Sequence, residues 1–307
     1  MRLQGPHHIT MITADAQACV DFHAGTLGLR LVKTTVNFDD PGAYHLYFGA
    51  EDGAPGSILT WFEYAGAAPG RPGAGMVHTI QLGVPSVDAL SFWEERLAGA
   101  GRRPVRDGDV LAFADPEGLR YELLPAHAAN PPLAAHHPEI PAEVALTGIE
   151  GARAFSAFHT LEESLYTRVL GFTNEGGGHY VLAGGSRRAR WTLDRAVAGG
   201  RPGAGTVHHI AWWCADQDQD AWRTRVAEAG GYVTEVIDRD YFLSIYFREP
   251  RGVLFEIATT APGFAVDEDP EHLGEALRVP AIHAHLRDEL SRTLTPIRNP
   301  RAGGGPA

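Results

Sequence analysis

Four segments of this 307-residue chain repeat one pattern, a short apolar strand followed by an amphipathic helix and further short strands. The first strands start at His8, His78, Thr147 and His209, so that successive starts lie 70, 69 and 62 residues apart. A unit of this size cannot bury both faces of its small sheet, and units must therefore pair edge to edge. The repeat predicts an α+β fold of four βαβββ modules, whose curved mixed sheets form half-barrels with the helices outside.

The modules alternate between two types, which indicates that a two-module domain has been duplicated in tandem. The helices of the first and third modules are predicted to end at Gly28 and Gly171, where glycine can adopt the left-handed conformation. In the third module this helix includes Leu161 and Leu170. The second and fourth modules instead end in hairpins that contain a proline and a glycine. The predicted divisions are a two-module domain at 1–126, a linker at 127–143, a second two-module domain at 144–262 and a tail at 263–307.

The linker and the tail differ in composition from the modules. Residues 127–143 contain four prolines and no helical periodicity, which favours an extended connector. The tail has one predicted helix, from Ile282 to Leu294.

The composition excludes several classes of function. The formal charge of -12, from 26 basic and 38 acidic residues, disfavours nucleic acid and anionic membrane surfaces as partners. No apolar run approaches the ~20 residues that cross a bilayer, and the first residues lack the apolar segment of a secretion signal, so a cytoplasmic location is predicted. Cys19 and Cys214 are too few for a disulfide framework and are predicted to be buried. Exposed sheet edges favour a homodimer.

Two of the first strands carry adjacent histidines, His7-His8 in the first module and His208-His209 in the fourth. A strand of the last hairpin carries Glu256 within an otherwise apolar sequence. Two imidazoles and one carboxylate can hold one face of a divalent iron and leave the other positions open for substrate and dioxygen. The chain is therefore predicted to be a metalloenzyme.

Strand alternation selects one histidine of each pair. Successive side chains of a strand point to opposite faces, and the isoleucine that follows each pair suits a helix-packing face. His8 and His209 are then predicted to face the concave cavity as metal ligands. His7 and His208 are predicted to lie at the strand entrances, either as hydrogen-bonding groups beside the ligands or as half-exposed polar residues.

Glu256 requires a cationic partner. Residues 253–259 are otherwise almost entirely apolar, and burying an unpaired carboxylate among them would cost several kcal/mol. A metal ion satisfies this requirement. The alternative is a salt bridge with Arg248 or Arg251.

The pairing of the modules decides which residues meet. If the first module pairs with the fourth, the complete site is His8, His209 and Glu256. The second and third modules then form a degenerate site that keeps only His78 and Glu122. If the first module pairs with the second, the rival site is His8, His78 and Glu122. The first arrangement is favoured because only it uses both histidine pairs.

Two further positions bear on the chemistry. In the first module, Thr60 stands where the fourth module has Glu256, so a fourth strong ligand is missing. Three ligands and open positions suit oxygen activation or substrate chelation, whereas four ligands would suit a closed Lewis-acid site. Trp213 is predicted to face the cavity, where its bulk would change the substrates that fit.

With this combination of motifs, the chain resembles the vicinal oxygen chelate superfamily, which includes glyoxalases and extradiol dioxygenases. Within it, the chain is most similar to the hydroquinone-type ring-cleaving dioxygenases of bacteria. The motifs span nearly the whole chain, and their joint order is more specific than any single histidine pair. They are Pro6-His7-His8-Ile9-Thr10, Tyr44-His45-Leu46-Tyr47-Phe48, Gly53-Ala54-Pro55-Gly56-Ser57, His208-His209-Ile210-Ala211, Asp238-Arg239 through Tyr246, Gly252 to Glu256, and Asp267 to Gly274.

The resemblance implies a metal-dependent dioxygenase that cleaves the aromatic ring of a hydroquinone or related quinol with O2. It implies Fe(II), or in some members Mn(II), as the cofactor, and His8, His209 and Glu256 as its ligands. It also implies a set of polar residues around the small aromatic substrate: His7, Thr10, His208, Arg239 and Tyr246.

Two other function classes stay open at this point. A glyoxalase-type lyase or isomerase would use a metal such as Zn(II) or Ni(II) to polarise an enediolate. A resistance protein that sequesters a small aromatic compound would need no redox metal. The residues alone do not select the quinol, or iron over manganese.

Overall fold

The computed structural model describes residues 1–156, 164–196 and 198–300. Within these ranges, each module has a strand, a helical segment and three more strands, as the repeat predicts. The first module comprises β1 (Gly5–Thr13), α1 (Ala16–Val20) with a π-helical continuation (Asp21–Thr26), β2 (Arg30–Val36), β3 (Tyr44–Gly49) and β4 (Ile58–Glu63). The second comprises β5 (Met76–Val84), α2 (Ala89–Gly99), β6 (Val105–Asp107), β7 (Val110–Ala114) and β8 (Arg120–Pro125).

The third and fourth modules follow the same order. The third comprises β9 (Ile149–Ser156), a π-helical segment (Leu165–Leu170), β10 (Phe172–Gly176), β11 (His179–Ala183) and β12 (Arg188–Arg195). The fourth comprises β13 (Thr206–Trp213), a 3₁₀ turn (Asp216–Asp218), α3 (Gln219–Glu228), β14 (Ile237–Asp238), β15 (Leu243–Arg248) and β16 (Leu254–Ala258). Leu161, in the predicted third helix, lies outside the described residues.

The tail contains mostly short segments. These are 3₁₀ turns at Phe264–Val266 and Pro270–His272, β17 (Leu277–Arg278), a 3₁₀ segment at Ala281–Leu286 and α4 (Arg287–Thr293). The predicted tail helix from Ile282 to Leu294 is therefore part 3₁₀ and part α. No helix in the described ranges is both long and apolar enough to cross a membrane.

The strands of the described ranges form two sheets, and each sheet combines modules from both halves of the chain. The first has the order β14-β15-β16-β13-β1-β4-β3-β2-β17, and the second has the order β10-β11-β12-β9-β5-β8-β7-β6. Antiparallel pairing of β1 with β13 joins the first and fourth modules, and pairing of β5 with β9 joins the second and third. The favoured pairing is confirmed and the rival pairing is wrong. We propose that the duplicated two-module domains are residues 1–126 and 144–262.

Side-chain alternation on the central strands separates the core from the concave face. On β1, Ile9 and Met11 are fully buried in the hydrophobic core, whereas His8 and Thr10 line the opposite face. On β13 the same alternation places His209 on the concave face. Burying each large apolar side chain contributes about 2 kcal/mol, and a shift of one residue would expose all of them. The core thus fixes His8 and His209 on the concave face, and a β-bulge, which pairs Thr10 with His209 but Met11 with Val207, lets His208 reach the cavity as well.

A buried ammonium group anchors the tail to the first sheet. Lys33, the only lysine of the chain, is fully buried on β2. It donates to the carbonyl oxygen of Phe264 at 2.9 Å, to the Asp267 carboxylate at 2.6 Å and to Glu268. The Phe264 ring in turn packs against Tyr47, with their centroids 5.1 Å apart. Tail residues therefore support one wall of the concave face.

His23 is a second buried titratable group of the first module. Its Nδ1–H donates to the Cys19 carbonyl oxygen at 2.9 Å, so that Nε2 accepts from the Tyr121 hydroxyl at 3.1 Å. Burial lowers the pKa of His23 from 6.5 to about 3. Below pH 6.5 the unfolded chain therefore binds a proton at His23, whereas the folded chain binds it only near pH 3. The stability contribution is complete above pH 6.5 and decreases as the pH falls toward 3.

We expect His23 alone to lower the free energy of unfolding by about 2 kcal/mol between pH 8 and pH 5. Urea unfolding at the two pH values measures this difference. The His23→Gln variant should lose about that amount of the pH dependence, whatever its stability at pH 8. A variant with the full pH dependence of the parent protein would contradict the prediction.

Candidate metal centre and its cavity

Three buried side chains converge at the centre of the first sheet. The Nε2 atoms of His8 and His209 are 3.2 Å apart, and they lie 3.3 Å and 2.9 Å from Oε2 of Glu256. Their exposed fractions are 2%, 4% and 0%. Among the described residues, this is the one group of His, Cys, Asp and Glu side chains with the spacing of a metal site. The structure thus brings together the three predicted ligands.

The strand register explains why residues so distant in sequence meet. Antiparallel β1 and β13 place His8 opposite Ala211, and His209 opposite Thr10. Parallel pairing of β13 with β16 places Ala211 opposite Glu256. The three side chains therefore lie on one face of three adjacent strands.

The surroundings of Glu256 fit a metal ion. Its Oε1 accepts a hydrogen bond from Ser244 Oγ, whereas its buried Oε2 accepts no well-directed hydrogen bond from the described residues. Burial acts to raise the pKa of Glu256, yet His8 and His209 lower it to well below the usual range. An ionised oxygen without a donor, facing two imidazole nitrogens, matches the two-histidine-one-carboxylate arrangement that binds divalent transition metals.

The salt-bridge alternative for Glu256 is wrong. Arg248 donates to the Gly252 carbonyl oxygen at 2.7 Å, and the Arg251 guanidinium lies over the Tyr166 ring at 5.1 Å. In the described part of the chain, neither arginine forms an ion pair with Glu256.

Each candidate ligand histidine is held by the other histidine of its pair. The Nδ1 atoms of His7 and His8 are 2.8 Å apart, and those of His208 and His209 are also 2.8 Å apart. If Nε2 of a ligand binds a metal, its proton lies on Nδ1 and is donated to the outer histidine. Burial lowers the pKa of His7 to about 3, so it is a neutral acceptor, while His208 is exposed at the cavity.

Tyr246 and Arg239 form another wall of the site. Tyr246 lies opposite Glu256 in the register of β15 and β16, with its ring 5.7 Å from His209. Arg239 Nε–H donates to the Tyr246 hydroxyl at 3.2 Å, and its guanidinium also contacts Asp39 at 3.3 Å. Burial raises the pKa of Tyr246, so its phenol stays protonated at neutral pH.

The convergent side chains lie at the base of a cavity of about 420 Å³. This volume is in the range of small-molecule sites, and the walls are largely aromatic. The lining residues are His8, Thr10, Asn37, Phe38, Asp39, His45, Tyr47, Phe62, Tyr64, His208, His209, Thr234, Ile237, Arg239, Phe242, Tyr246 and Leu254.

His45 and Tyr47 line this cavity, although residue patterns alone did not assign them to the site. His45 Nε2 lies 2.8 Å from Thr60 Oγ1, and the Tyr47 hydroxyl lies 2.9 Å from His45 Nδ1. The available signal was the alternation on β3, where Leu46 and Phe48 are core residues and His45 and Tyr47 take the other face. Both ring nitrogens of His45 therefore have hydroxyl partners.

Comparison with known proteins gives the family. A model described as “Glyoxalase/Bleomycin resistance protein/Dioxygenase superfamily” matches residues 5–123 and 163–257, which include all three candidate ligands. The chain belongs to the glyoxalase/bleomycin resistance protein/dioxygenase superfamily. Membership implies a metal cofactor, and the convergent histidines and glutamate offer a place for it.

Relatives within the superfamily match the chain over nearly its whole length. “Putative ring-cleaving dioxygenase MhqO” of Bacillus subtilis (strain 168) is 41% identical over 96% of this chain and 97% of that protein. “Chlorohydroquinone/hydroquinone 1,2-dioxygenase” of Sphingobium indicum is 36% identical over 95% and 96%. A crystal structure of a “putative dioxygenase” from Bacillus subtilis subsp. subtilis str. 168 has a TM-score of 0.89 and 39% identity over 97% and 98%. The sequence resemblance is thus confirmed, and the chain is a member of the dioxygenase group.

The prediction that Trp213 faces the cavity is wrong. Trp213 is the last residue of β13, opposite Gly5, and it is partly exposed and absent from the cavity lining. The lining residues occur toward the other end of the strand, around His209. Trp213 therefore gives no reason to expect an unusual substrate.

The second sheet of this superfamily fold corrects the prediction about His78. In the first sheet Glu256 lies opposite Ala211, and in the second Glu122 lies opposite Gln81. Two residues earlier on each strand, His209 of the first sheet corresponds to Thr79 of the second. His78 therefore corresponds to His208 and not to a ligand. Its Nε2 lies 3.0 Å from Asp194, away from Glu122.

The same register shows why the second sheet cannot hold the metal in this way. The position equivalent to His8 is Gly151, opposite Gln81 on β5. A Cβ atom added at Gly151 would lie 2.4 Å from the Arg190 carbonyl oxygen, so no imidazole fits there. Glu122 is instead 2.7 Å from the Gln81 amide and 3.6 Å from Arg153. An arginine thus supplies the cation beside this carboxylate.

Proposed function

We propose that this protein is a dioxygenase that opens the aromatic ring of a hydroquinone or related quinol with O2 at a non-haem Fe(II), in the manner of extradiol enzymes. The observation that carries the proposal is the convergence of His8, His209 and Glu256 at the base of an aromatic-walled cavity. The name of the Sphingobium relative supports the substrate class. Thr60 at the fourth corner supports a site with open positions.

The three convergent residues would hold the metal, four others would serve the substrate, and His7 would support a ligand. A bound divalent iron would favour ionisation of a coordinated phenol and supply the redox chemistry needed with dioxygen. Thr10, His208, Arg239 and Tyr246 line the cavity and are assigned to the substrate. His7 does not line it, and we assign His7 to orienting the His8 ring.

Tyr246 and His208 would supply protons at defined atoms. The Tyr246 hydroxyl accepts from Arg239 Nε–H and keeps its own proton for donation to a substrate oxygen. His208 accepts at Nδ1 from His209, so its neutral form carries a proton on Nε2. Arg239 adds a fixed positive charge that stabilises a substrate or intermediate anion.

Oxygen consumption tests the function. Protein loaded anaerobically with Fe(II) is expected to consume about one O2 per quinol when air is admitted with hydroquinone or a substituted hydroquinone. No uptake with any quinol, together with turnover of the thiol adduct of methylglyoxal, would favour a glyoxalase-type lyase. Tight binding of quinols without turnover of either substrate would favour a sequestering protein.

The identity of the catalytic metal is tested with the same protein preparation. Metal-free protein reconstituted in parallel with Fe(II), Mn(II), Zn(II) or Ni(II) should consume O2 with Fe(II), because ring opening needs a metal that can exchange electrons with dioxygen. Activity with Zn(II) or Ni(II) and none with Fe(II) would contradict the proposed cofactor. Activity with Mn(II) alone would support the proposed reaction but show that the cofactor is Mn(II).

A further inference from the structure

A continuous chain of hydrogen bonds leads from the wall of the cavity to its base. The Tyr47 hydroxyl lies 2.9 Å from His45 Nδ1, and His45 Nε2 lies 2.8 Å from Thr60 Oγ1. Thr60 Oγ1 lies 3.1 Å from Thr10 Oγ1. All four side chains are buried, and Thr10 lines the cavity beside His8. This hydrogen-bond network therefore ends at the Thr10 hydroxyl, which can contact a bound ligand.

The register gives His45 a counterpart on the other side of the site. Tyr246 lies opposite Glu256, and Ser244, two residues earlier on β15, bonds to that carboxylate. Tyr47 lies opposite Thr60, and His45, two residues earlier on β3, bonds to that hydroxyl. His45 thus supports the fourth corner of the site in the way that Ser244 supports the candidate ligand.

The hydrogen bonds of this network can all run in one direction or all in the other. Burial lowers the pKa of His45 well below its usual range, so the ring is neutral and carries a single N–H. If Tyr47 donates to Nδ1, then His45 donates through Nε2–H to Thr60, and Thr60 donates to Thr10. The Thr10 hydroxyl then has its proton available for the cavity. An anionic oxygen in the cavity selects this polarity.

We propose that His45 is a positioning residue that acts through Thr60 to present the Thr10 hydroxyl as a donor to a phenolate oxygen of the substrate. This inference rests on the proposed function, because it concerns the phenolic substrate of that site. It adds a hydrogen-bonding element, on β3 and β4, to the Arg239 and Tyr246 wall on the other side of the cavity. A phenol would accordingly ionise more readily in the cavity than in water.

Other charged and titratable groups also surround His45 and must stay constant in the test. The groups that act on His45 are His8, Tyr47, His209, Arg239 and Glu256, and Tyr246 acts on its partner Tyr47. Variants at Thr60 leave all of them in place. A valine at this position keeps the branched shape for the strand and removes only the hydroxyl.

The test measures the ionisation of a bound chromophoric phenol. Nitrohydroquinone is bound anaerobically to the metal-loaded protein, and its phenolate absorbance is followed as a function of pH. Thr60→Val removes the hydrogen bond that orients and polarises the Thr10 hydroxyl, so the Thr10 bond to the anion is weakened, and the apparent pKa of the bound phenol is expected to rise by about half a unit, or roughly threefold. His45→Phe should give a similar rise. His45→Gln should restore part of the difference, because its amide can both donate and accept.

The second sheet provides a matched control. Thr192 occupies on β12 the position that Thr60 has on β4, and its hydroxyl lies 3.3 Å from a histidine, His179. Thr192→Val should leave the pKa of the bound phenol unchanged. Metal content and thermal unfolding of all variants establish that the site is loaded and folded.

The outcomes separate this inference from the proposed function. A pKa of the bound phenol that is unchanged in Thr60→Val and His45→Phe, or failure of the parent protein to bind the probe, would overturn the role of His45. Because the titration excludes O2, it gives its result whether or not the protein consumes oxygen. Absence of O2 uptake in the parent protein would instead contradict the proposed function.

Discussion

Glu256→Gln is expected to lower the affinity for the catalytic metal by at least ~100-fold and to abolish oxygen consumption with quinols. The substitution keeps the shape of the side chain but removes the negative charge that lies within 3.3 Å of both imidazoles. His8→Ala and His209→Ala should have effects of the same size, because each removes one of three ligands. Metal analysis after dialysis against a defined chelator gives the affinities.

The second sheet supplies the controls for this prediction. His78→Ala and Glu122→Gln should retain metal and activity, because His78 contacts Asp194 and Glu122 contacts Gln81 and Arg153. Retention of metal in Glu256→Gln with loss in Glu122→Gln would move the catalytic centre to the second sheet.

Lys33→Met is expected to destabilise the fold by about 3 kcal/mol, because it leaves the buried Glu268 carboxylate without its ammonium partner. The Asp267 carboxylate and the Phe264 carbonyl oxygen lose the same donor. Urea unfolding with linear extrapolation measures the change.

A double substitution and an exposed ion pair test the reason for this loss. Lys33→Met combined with Glu268→Gln should recover part of the stability, because it also removes the buried carboxylate, whose remaining cation would be Arg278 at 3.4 Å. Arg223→Met breaks an ion pair with Glu235, which is 84% exposed, and should cost less than about 1 kcal/mol. Equal losses in Lys33→Met and Arg223→Met would contradict the account of the buried ammonium group.

The sequence predicted the site well where periodicity and burial act together. On β1 and β13, apolar residues must face the core, and this requirement places His8 and His209 on the concave face. Repetition of both histidine pairs favoured the correct pairing of modules. These are local patterns, combined with one rule about unpaired sheet edges.

The incorrect prediction about His78 came from comparing distances along the chain. Spacing from histidine to glutamate is altered by loop length, whereas strand register is not. The repeated sequence Gly-Arg-Pro-Gly-Ala-Gly at 70–75 and 200–205 gives the correct alignment, with His78 matching His208 and Thr79 matching His209. This signal was present in the chain and identifies the second sheet as lacking both ligand histidines.

Other features depend on contacts that no local pattern encodes. Lys33 meets Asp267 and Glu268 only because the tail folds back along β2. His45 has two hydroxyl partners only because β3 and β4 are antiparallel neighbours in a particular register. These partners meet through the geometry of the fold, and no regular spacing in the sequence predicts their contact.

The central claim is that strands from opposite ends of the chain assemble one metal centre. Anomalous diffraction from crystals of the freshly purified protein, recorded on both sides of the absorption edge of the bound metal, tests it most directly. We predict a single strong peak in contact with His8 Nε2, His209 Nε2 and Glu256 Oε2. A peak beside Glu122, or a fully occupied metal elsewhere with none between these three atoms, would contradict the account.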